Sequence, residues 1–333
     1  MADKKREDLK MGSARFAAND MLFDLAQRYP NVVVMTCDNS QQGTPLYRFG
    51  EKFKDRFIDT GITEQNTVGM AAGLALSGKK VFCQSFACFL TTRAIEYIYL
   101  DAAYNNVPIV FMGTHCGVSA STAGPTHFAV MDIAYTRSMP NMTVIAPSDP
   151  QVASKIMEES MTWPTPIYLR LPKGLEPLVY EKDIDDIQIG KGIQARDGED
   201  LTLVGCGTAV YQCMKAADEL AHKHGICARV IDLHTIKPID TEILVKAARE
   251  TGAIVTCEDH MIAGGMGSAV LEAVMAAEIG QTILFRRLGI PDCFPPQGRT
   301  PEYIYHACGY DAEAIVAAAK EIYAKKAGRI SKD

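Results

Sequence analysis

Val32-Val33-Val34-Met35 is the stretch from which the fold reads outward. Four apolar residues, three of them β-branched, stand together without polar alternation. That is the mark of a strand covered on both faces, as in a parallel sheet. A helix precedes it, with Ser13 placed to cap a segment that runs to about Arg28 and sets Phe16, Leu22 and Leu25 on one face. Beyond it the spacing predicts a helix over Glu64 to Leu76, rich in Gly and Ala, and a strand over Val81 to Ser85. A helix over Thr91 to Tyr104 and the short apolar run Pro108 to Met112 come next. Thr143-Val144-Ile145 and Ile167-Tyr168-Leu169 then flank a helix over Gln151 to Met161. Strands alternating with helices predict a parallel sheet covered on both faces.

The alternation lapses over 175–192. Pro177, the charged patch Glu181 to Asp186 and Gly190 predict a connection between domains there. A second series begins at Leu201-Thr202-Leu203-Val204 and continues through Ala228 to Ile231, Ala253 to Val255 and Thr282 to Phe285, with a last helix over Ala312 to Tyr323. The expected fold is α/β, with two doubly wound, mainly parallel-sheet domains over 1–180 and 190–333. The halves are alike in style, but no sequence repeat relates them.

Composition agrees with a globular chain of that size: 333 residues, 47% hydrophobic, 22% charged and a net charge of −6. The only basic run is the tag-like Lys4-Lys5-Arg6, so nucleic acid is not an expected partner. There is no stretch of about 18 apolar residues, so no membrane span is expected. Met1 to Leu9 is charged and does not read as a secretory signal. The ten cysteines contain no Cys-x-x-Cys and sit mostly in apolar runs, which predicts reduced, buried thiols and a cytoplasmic location. Cys257-Glu258-Asp259-His260 and His222-Lys223-His224 lack a second half, so no metal is assigned to this chain's own side chains.

Several familiar sites are excluded. Gly205-Cys206-Gly207 fails as a dinucleotide fingerprint because Val210 stands where the third glycine belongs. Gly264-Gly265-Met266-Gly267 reads as a glycine turn feeding a helix. Neither a phosphate loop of the Gly-x-x-x-x-Gly-Lys type nor a Gly-x-Ser-x-Gly elbow is present. Three segments remain. In Asp59-Thr60-Gly61-Ile62-Thr63-Glu64 a strand end turns on glycine into a helix, with Thr63 as a possible cap. An acid at a helix start is ordinary, but the Gly/Ala-rich helix behind it predicts burial, and a buried carboxylate needs a partner. Phe86-Ala87-Cys88-Phe89 sets two aromatics at a strand end, either as core or as a slot for a flat ring. His115 and His127 lie in glycine-rich loops at the carboxyl end of a strand, where parallel sheets collect their ligands. Both are suited to proton transfer near neutrality.

Together with Met139-Pro140-Asn141 through Asp149, Asp232-Leu233-His234-Thr235-Ile236-Lys237-Pro238 and Glu258 to Gly267, these segments resemble, in order, the thiamine-diphosphate-dependent transketolase family. Leu169-Arg170-Leu171-Pro172-Lys173-Gly174 is similar to the deoxyxylulose-phosphate synthases within it. The resemblance covers the pyrimidine-binding and C-terminal domains. The family's Gly-Asp-Gly motif, which holds the diphosphate and its divalent ion, is missing. The resemblance therefore implies the C-terminal subunit of a split transketolase. The N-terminal partner subunit would hold the diphosphate and the Mg or Ca ion, with two copies of each chain around a twofold axis.

By position the resemblance gives Glu64 the hydrogen bond to N1′ of the aminopyrimidine, favouring the imino tautomer that takes the proton from the thiazolium carbon. Phe86 and Phe89 would form the pyrimidine slot. His115 and His127 would relay protons beside a sugar, and Arg170 and Arg15 would bind the substrate, Arg170 at its phosphate. The expected reaction moves a two-carbon ketol unit from a ketose, phosphorylated or similarly anionic, to an aldose. There are departures. Ser121-Thr122-Ala123 lacks the acid that transketolase places before Gly-Pro-Thr-His, and Thr92 falls where a third aromatic stands. Rival readings are the β subunit of a 2-oxoacid dehydrogenase decarboxylase component, a deoxyxylulose-phosphate-synthase-like enzyme and a non-enzymatic paralogue. Gly124-Pro125-Thr126-His127 with upstream His115 opposes the first, and intact Glu64, His115 and His127 oppose the last.

Overall fold

A computed structural model describes residues 9–330, so Lys4-Lys5-Arg6 and nearly all of Met1 to Leu9 lie outside the described residues. The first half holds β1 (Met11–Gly12), β2 (Val32–Thr36), β3 (Phe57–Asp59), β4 (Lys80–Phe86), β5 (Val110–Thr114), β6 (Thr143–Ile145), β7 (Ile167–Leu171) and β8 (Glu176–Pro177). The second holds β9 (Ile193–Arg196), β10 (Leu201–Gly205), β11 (Ala228–Asp232), β12 (Thr235–Lys237), β13 (Ala253–Met261) and β14 (Leu284–Ile290). The β-branched runs became fully buried strands, every residue of β2, β5, β7, β10 and β11 being covered.

Seven strands form the first sheet in the order β12-β6-β7-β5-β4-β2-β3. All neighbours are parallel except β12, which pairs antiparallel with β6. The second sheet has the order β14-β13-β10-β11-β9, again parallel apart from the edge strand β9. The two doubly wound sheets thus match the expected class. Because β12 comes from the second half of the chain, the first sheet is completed by the other half. The connection over 175–192 is also fastened. β8 pairs with β1, and the Tyr180 hydroxyl donates to Asp232 at 2.9 Å.

Ser13 caps the first helix (Ala14–Arg28) as expected, its hydroxyl accepting from Phe16 N at 3.2 Å. Thr63 does not cap. Its hydroxyl donates instead to Thr60 O at 3.0 Å, inside the turn that precedes Glu64–Leu76. The helix expected over 91–104 is wound differently. Phe89–Arg93 and Ile98–Tyr104 are π-helical around a short α-turn, Ile95–Tyr97. Thr91 and Thr92 explain part of this, since their hydroxyls donate to the carbonyls of Ala87 (2.8 Å) and Cys88 (2.6 Å) and compete with the backbone ladder. No disulfide joins the cysteines among the described residues, and seven of them are buried.

Candidate active site

The strand ends of the first sheet gather the site. β3 ends at Asp59, whose carboxylate accepts from the backbone N–H groups of Asp38 (2.9 Å) and Gly61 (3.0 Å). Gly61, at φ +69, turns the chain so that Glu64 opens the next helix. Glu64 is 1% exposed. Its partner is Arg93, whose Nη1 donates to Oε2 at 2.7 Å. The burial expected from the Gly/Ala-rich helix is therefore present, and so is the partner that burial requires.

Phe86 ends β4 and Phe89 starts the π-turn. Their rings stack with centroids 5.7 Å apart and planes 13° from parallel. The two histidines stand on these rings. His115 lies 4.0 Å from the Phe86 centroid. His127 meets Phe86 and Phe89 edge-on at 6.0 and 5.4 Å. Segments far apart in sequence thus converge on one aromatic cluster with a buried carboxylate beside it.

His115 is held in an unusual state. Its backbone lies at φ +59, a left-handed conformation that costs a non-glycine residue about 1–3 kcal/mol and collects at functional sites. Burial, and then the charges of Arg15, Lys173 and His127, push its pKa down to about 3. The imidazole is neutral at physiological pH. Its Nδ1 is 3.1 Å from the Thr114 hydroxyl. Gly117 lets the loop close, because a Cβ there would sit 1.8 Å from the Asp259 carboxylate.

Arg15 lines a small cleft with Asn19, Asn39, Gln84 and His115. Arg15 Nε, Asn19 Oδ1 and Gln84 Oε1 are buried there without a hydrogen-bond partner. Unsatisfied buried polar atoms are costly, and three of them line this one cleft.

Arg170 is not in this cleft, which corrects its expected role at a substrate phosphate. It is 2% exposed and bonds to Asp132 through Nε at 2.7 Å. Its Nη2 donates to the carbonyls of Ala129 (3.0 Å) and Asp259 (2.6 Å). Tyr168 completes the cluster through a 2.7 Å hydroxyl bond to Asp132. The guanidinium is consumed in a structural ion pair with Asp132, while its bond to the Asp259 carbonyl ties the first half of the chain to the second. The physical reason is that β7 runs on through Leu171 before Pro172 stops it, so Arg170 faces a covered side of the sheet. Lys173, past that proline, is exposed and close enough to depress His115. Sequence reading did not single out Lys173 as a cation near His115, and the position of Pro172 was the available signal. It also missed Arg93, for which the four-residue spacing from Phe89 was a signal. Asn39 and Gln84 gave none, since only long-range pairing brings them to His115.

The other acidic and glycine motifs serve the fold. Glu258 accepts from Met266 N (2.5 Å) and Gly267 N (2.8 Å), so the helix start after Gly264-Gly265 is filled by the chain's own carboxylate. Asp259 accepts from Val118 N (3.2 Å) and from the Tyr310 hydroxyl (3.0 Å).

Two doubly wound α/β sheets thus bring a carboxylate, an aromatic pair and two histidines together at the strand ends of the first. Residues 11–177 match the family described as transketolase, pyrimidine binding domain, and residues 190–315 match transketolase, C-terminal domain. The chain belongs to the transketolase family. It is 36% identical over 315 residues to one subunit of the apulose-4-phosphate transketolase of Phocaeicola vulgatus, covering 95% of this chain and 99% of the relative. It is 37% identical over 297 residues to a putative transketolase C-terminal section of Methanocaldococcus jannaschii, covering 89% and 92%. A split gene transketolase solved as an inactive beta4 tetramer superposes with a TM-score of 0.85 at 35% identity, covering 94% of this chain and 99% of the other. The chain is the C-terminal subunit type of a split transketolase, a transferase component, and membership implies thiamine diphosphate as cofactor. No helix among the described residues is long and apolar enough to cross a membrane.

Proposed function

We propose that this chain, with an N-terminal partner subunit, transfers a two-carbon ketol unit between an anionic ketose and an aldose. The observation that carries the reading is the buried Glu64 carboxylate beside the stacked Phe86–Phe89 pair, with His115 and His127 on the same rings. These residues fit the aminopyrimidine end of thiamine diphosphate: an acceptor at the edge of a flat apolar slot. Bound there, the cofactor supplies the carbon nucleophile. Glu64 would hold the ring nitrogen that carries a proton. Phe86 and Phe89 would orient the ring and keep water from it. His115 enters as a neutral group and would serve as hydrogen-bond donor or acceptor, while the half-buried His127 would relay a proton.

The sugar's anionic end belongs in the cleft of Arg15, Asn39 and Gln84, with Lys173 at the rim. The unpartnered Arg15 Nε and Gln84 Oε1 support this, and the phosphorylated sugar in the name of the Phocaeicola relative is consistent with it. The diphosphate and its divalent ion, Mg or Ca, fall to the partner subunit, because this sequence has no Gly-Asp-Gly. Two copies of each chain would form the assembly, and the two domains would divide near 180–190.

The test is reconstitution. Co-purified with the product of a neighbouring N-terminal transketolase gene, the chain is expected to consume a phosphorylated ketose plus an aldose acceptor only when thiamine diphosphate and a divalent ion are added. Ketol transfer that needs neither would overturn the assignment.

A further inference from the structure

Arg93 lies across the aromatic slot itself. Its guanidinium carbon is 4.6 Å from the centroid of Phe89, so a planar cation rests on one wall of the aromatic pair. The same guanidinium donates from Nη1 to Glu64 Oε2 at 2.7 Å. A flat cationic group, stacked on Phe89 and giving an N–H to Glu64, reproduces the two contacts that a protonated aminopyrimidine would make there. The arginine reaches this place through the π-helical turn Phe89–Arg93, a winding that recurs at functional positions. Its side chain is 40% exposed, whereas that of Glu64 is 2% exposed, so the arginine is free to leave and the carboxylate is not.

Resting on the proposed roles of Glu64 and Phe89, we infer that Arg93 is a built-in occupant of the pyrimidine subsite, a guanidinium that satisfies Glu64 in the cofactor-free chain and is displaced when thiamine diphosphate binds. A buried carboxylate without a counter-ion is costly. A half-exposed arginine on a flexible stem holds it at small net gain and gives way to a ligand making the same contacts with more buried area. Arg93 is thus a positioning residue for the empty state and a competitor for the loaded one.

Two variants and two readouts test this. Thermal unfolding of the cofactor-free full-length chain reports the empty state. Arg93→Ala is expected to lower the midpoint, and the drop should largely vanish when Glu64→Gln is already present, because the amide needs no counter-ion. Titration of thiamine diphosphate with Mg into the two-chain complex, followed by intrinsic fluorescence, reports the competition. Arg93→Ala is expected to bind the cofactor about two- to fivefold more tightly than wild type, the scale of one partly exposed ion pair. Arg93→Gln, which keeps the stem and drops the charge, gives the same reading if the alanine variant folds poorly. Unchanged or weaker cofactor binding in both variants overturns the inference. The underlying reading fails in a different way: Glu64→Gln would then bind thiamine diphosphate as tightly as wild type.

Discussion

Replacing Glu64 by Gln keeps the side chain's shape and removes its charge. In the two-chain complex this change is expected to cut ketol transfer about 10²–10⁴-fold, while the unfolding midpoint stays within a few degrees. Near-wild-type turnover would reduce Glu64 to a helix-end acid. His115 gives a second expectation through its pKa of about 3. Unfolded, the imidazole protonates near 6.5; folded, it does not. As pH falls from 6.5 towards 3, the unfolded state therefore gains a proton that the native state refuses, and stability is lost at up to about 1.4 kcal/mol per pH unit. His115→Gln should flatten that loss by as much as one proton in denaturation series across this range. Arg170 and Lys173 should part company. Arg170→Ala strands Asp132 without its buried partner and should cost about 3–5 kcal/mol, read by denaturant midpoint. Lys173→Ala should leave the fold intact and raise KM for a phosphorylated sugar more than for its dephosphorylated twin. The difference between these two cations was legible only in part: an Arg in a β-run looks like a residue at a strand end, and the covering of both sheet faces is a tertiary fact. Glu64, Phe86, Phe89 and the histidines were legible because each sits at a strand end or in a glycine turn, where local sequence speaks for position.

At the scale of elements, long apolar runs declared themselves. β2, β10 and β11 were readable because burial on both faces leaves no alternation to confuse with a helix. β12 was not readable as a strand of the first sheet. Three residues, Thr235-Ile236-Lys237, carry no periodicity, and their pairing with β6 joins segments about 90 positions apart. Ile236 is 2% exposed, and Ile236→Ala is expected to cost about 2–5 kcal/mol, more than a three-residue edge strand exposed to solvent would lose. A change below about 0.5 kcal/mol in the denaturant midpoint would mean that β12 is not packed as described. The π-turns were equally hidden, since a sequence rich in helix formers does not show which threonine hydroxyl will take a backbone carbonyl.

For the molecule as a whole, the two sheets are linked by β12 on β6, by Arg170 on Asp259 O, and by Tyr180 on Asp232. Such links favour one cooperative unfolding transition over two. Function points outside the chain. The split transketolase subunits to which the chain is similar imply an N-terminal partner subunit. The most direct measurement is ketol transfer from a phosphorylated ketose, with thiamine diphosphate and Mg present, by this chain alone, by its N-terminal partner alone, by the pair, and by the pair carrying Glu64→Gln. Turnover by the wild-type pair only is the expected result; full activity from the single chain, or from the Glu64→Gln pair, would contradict it.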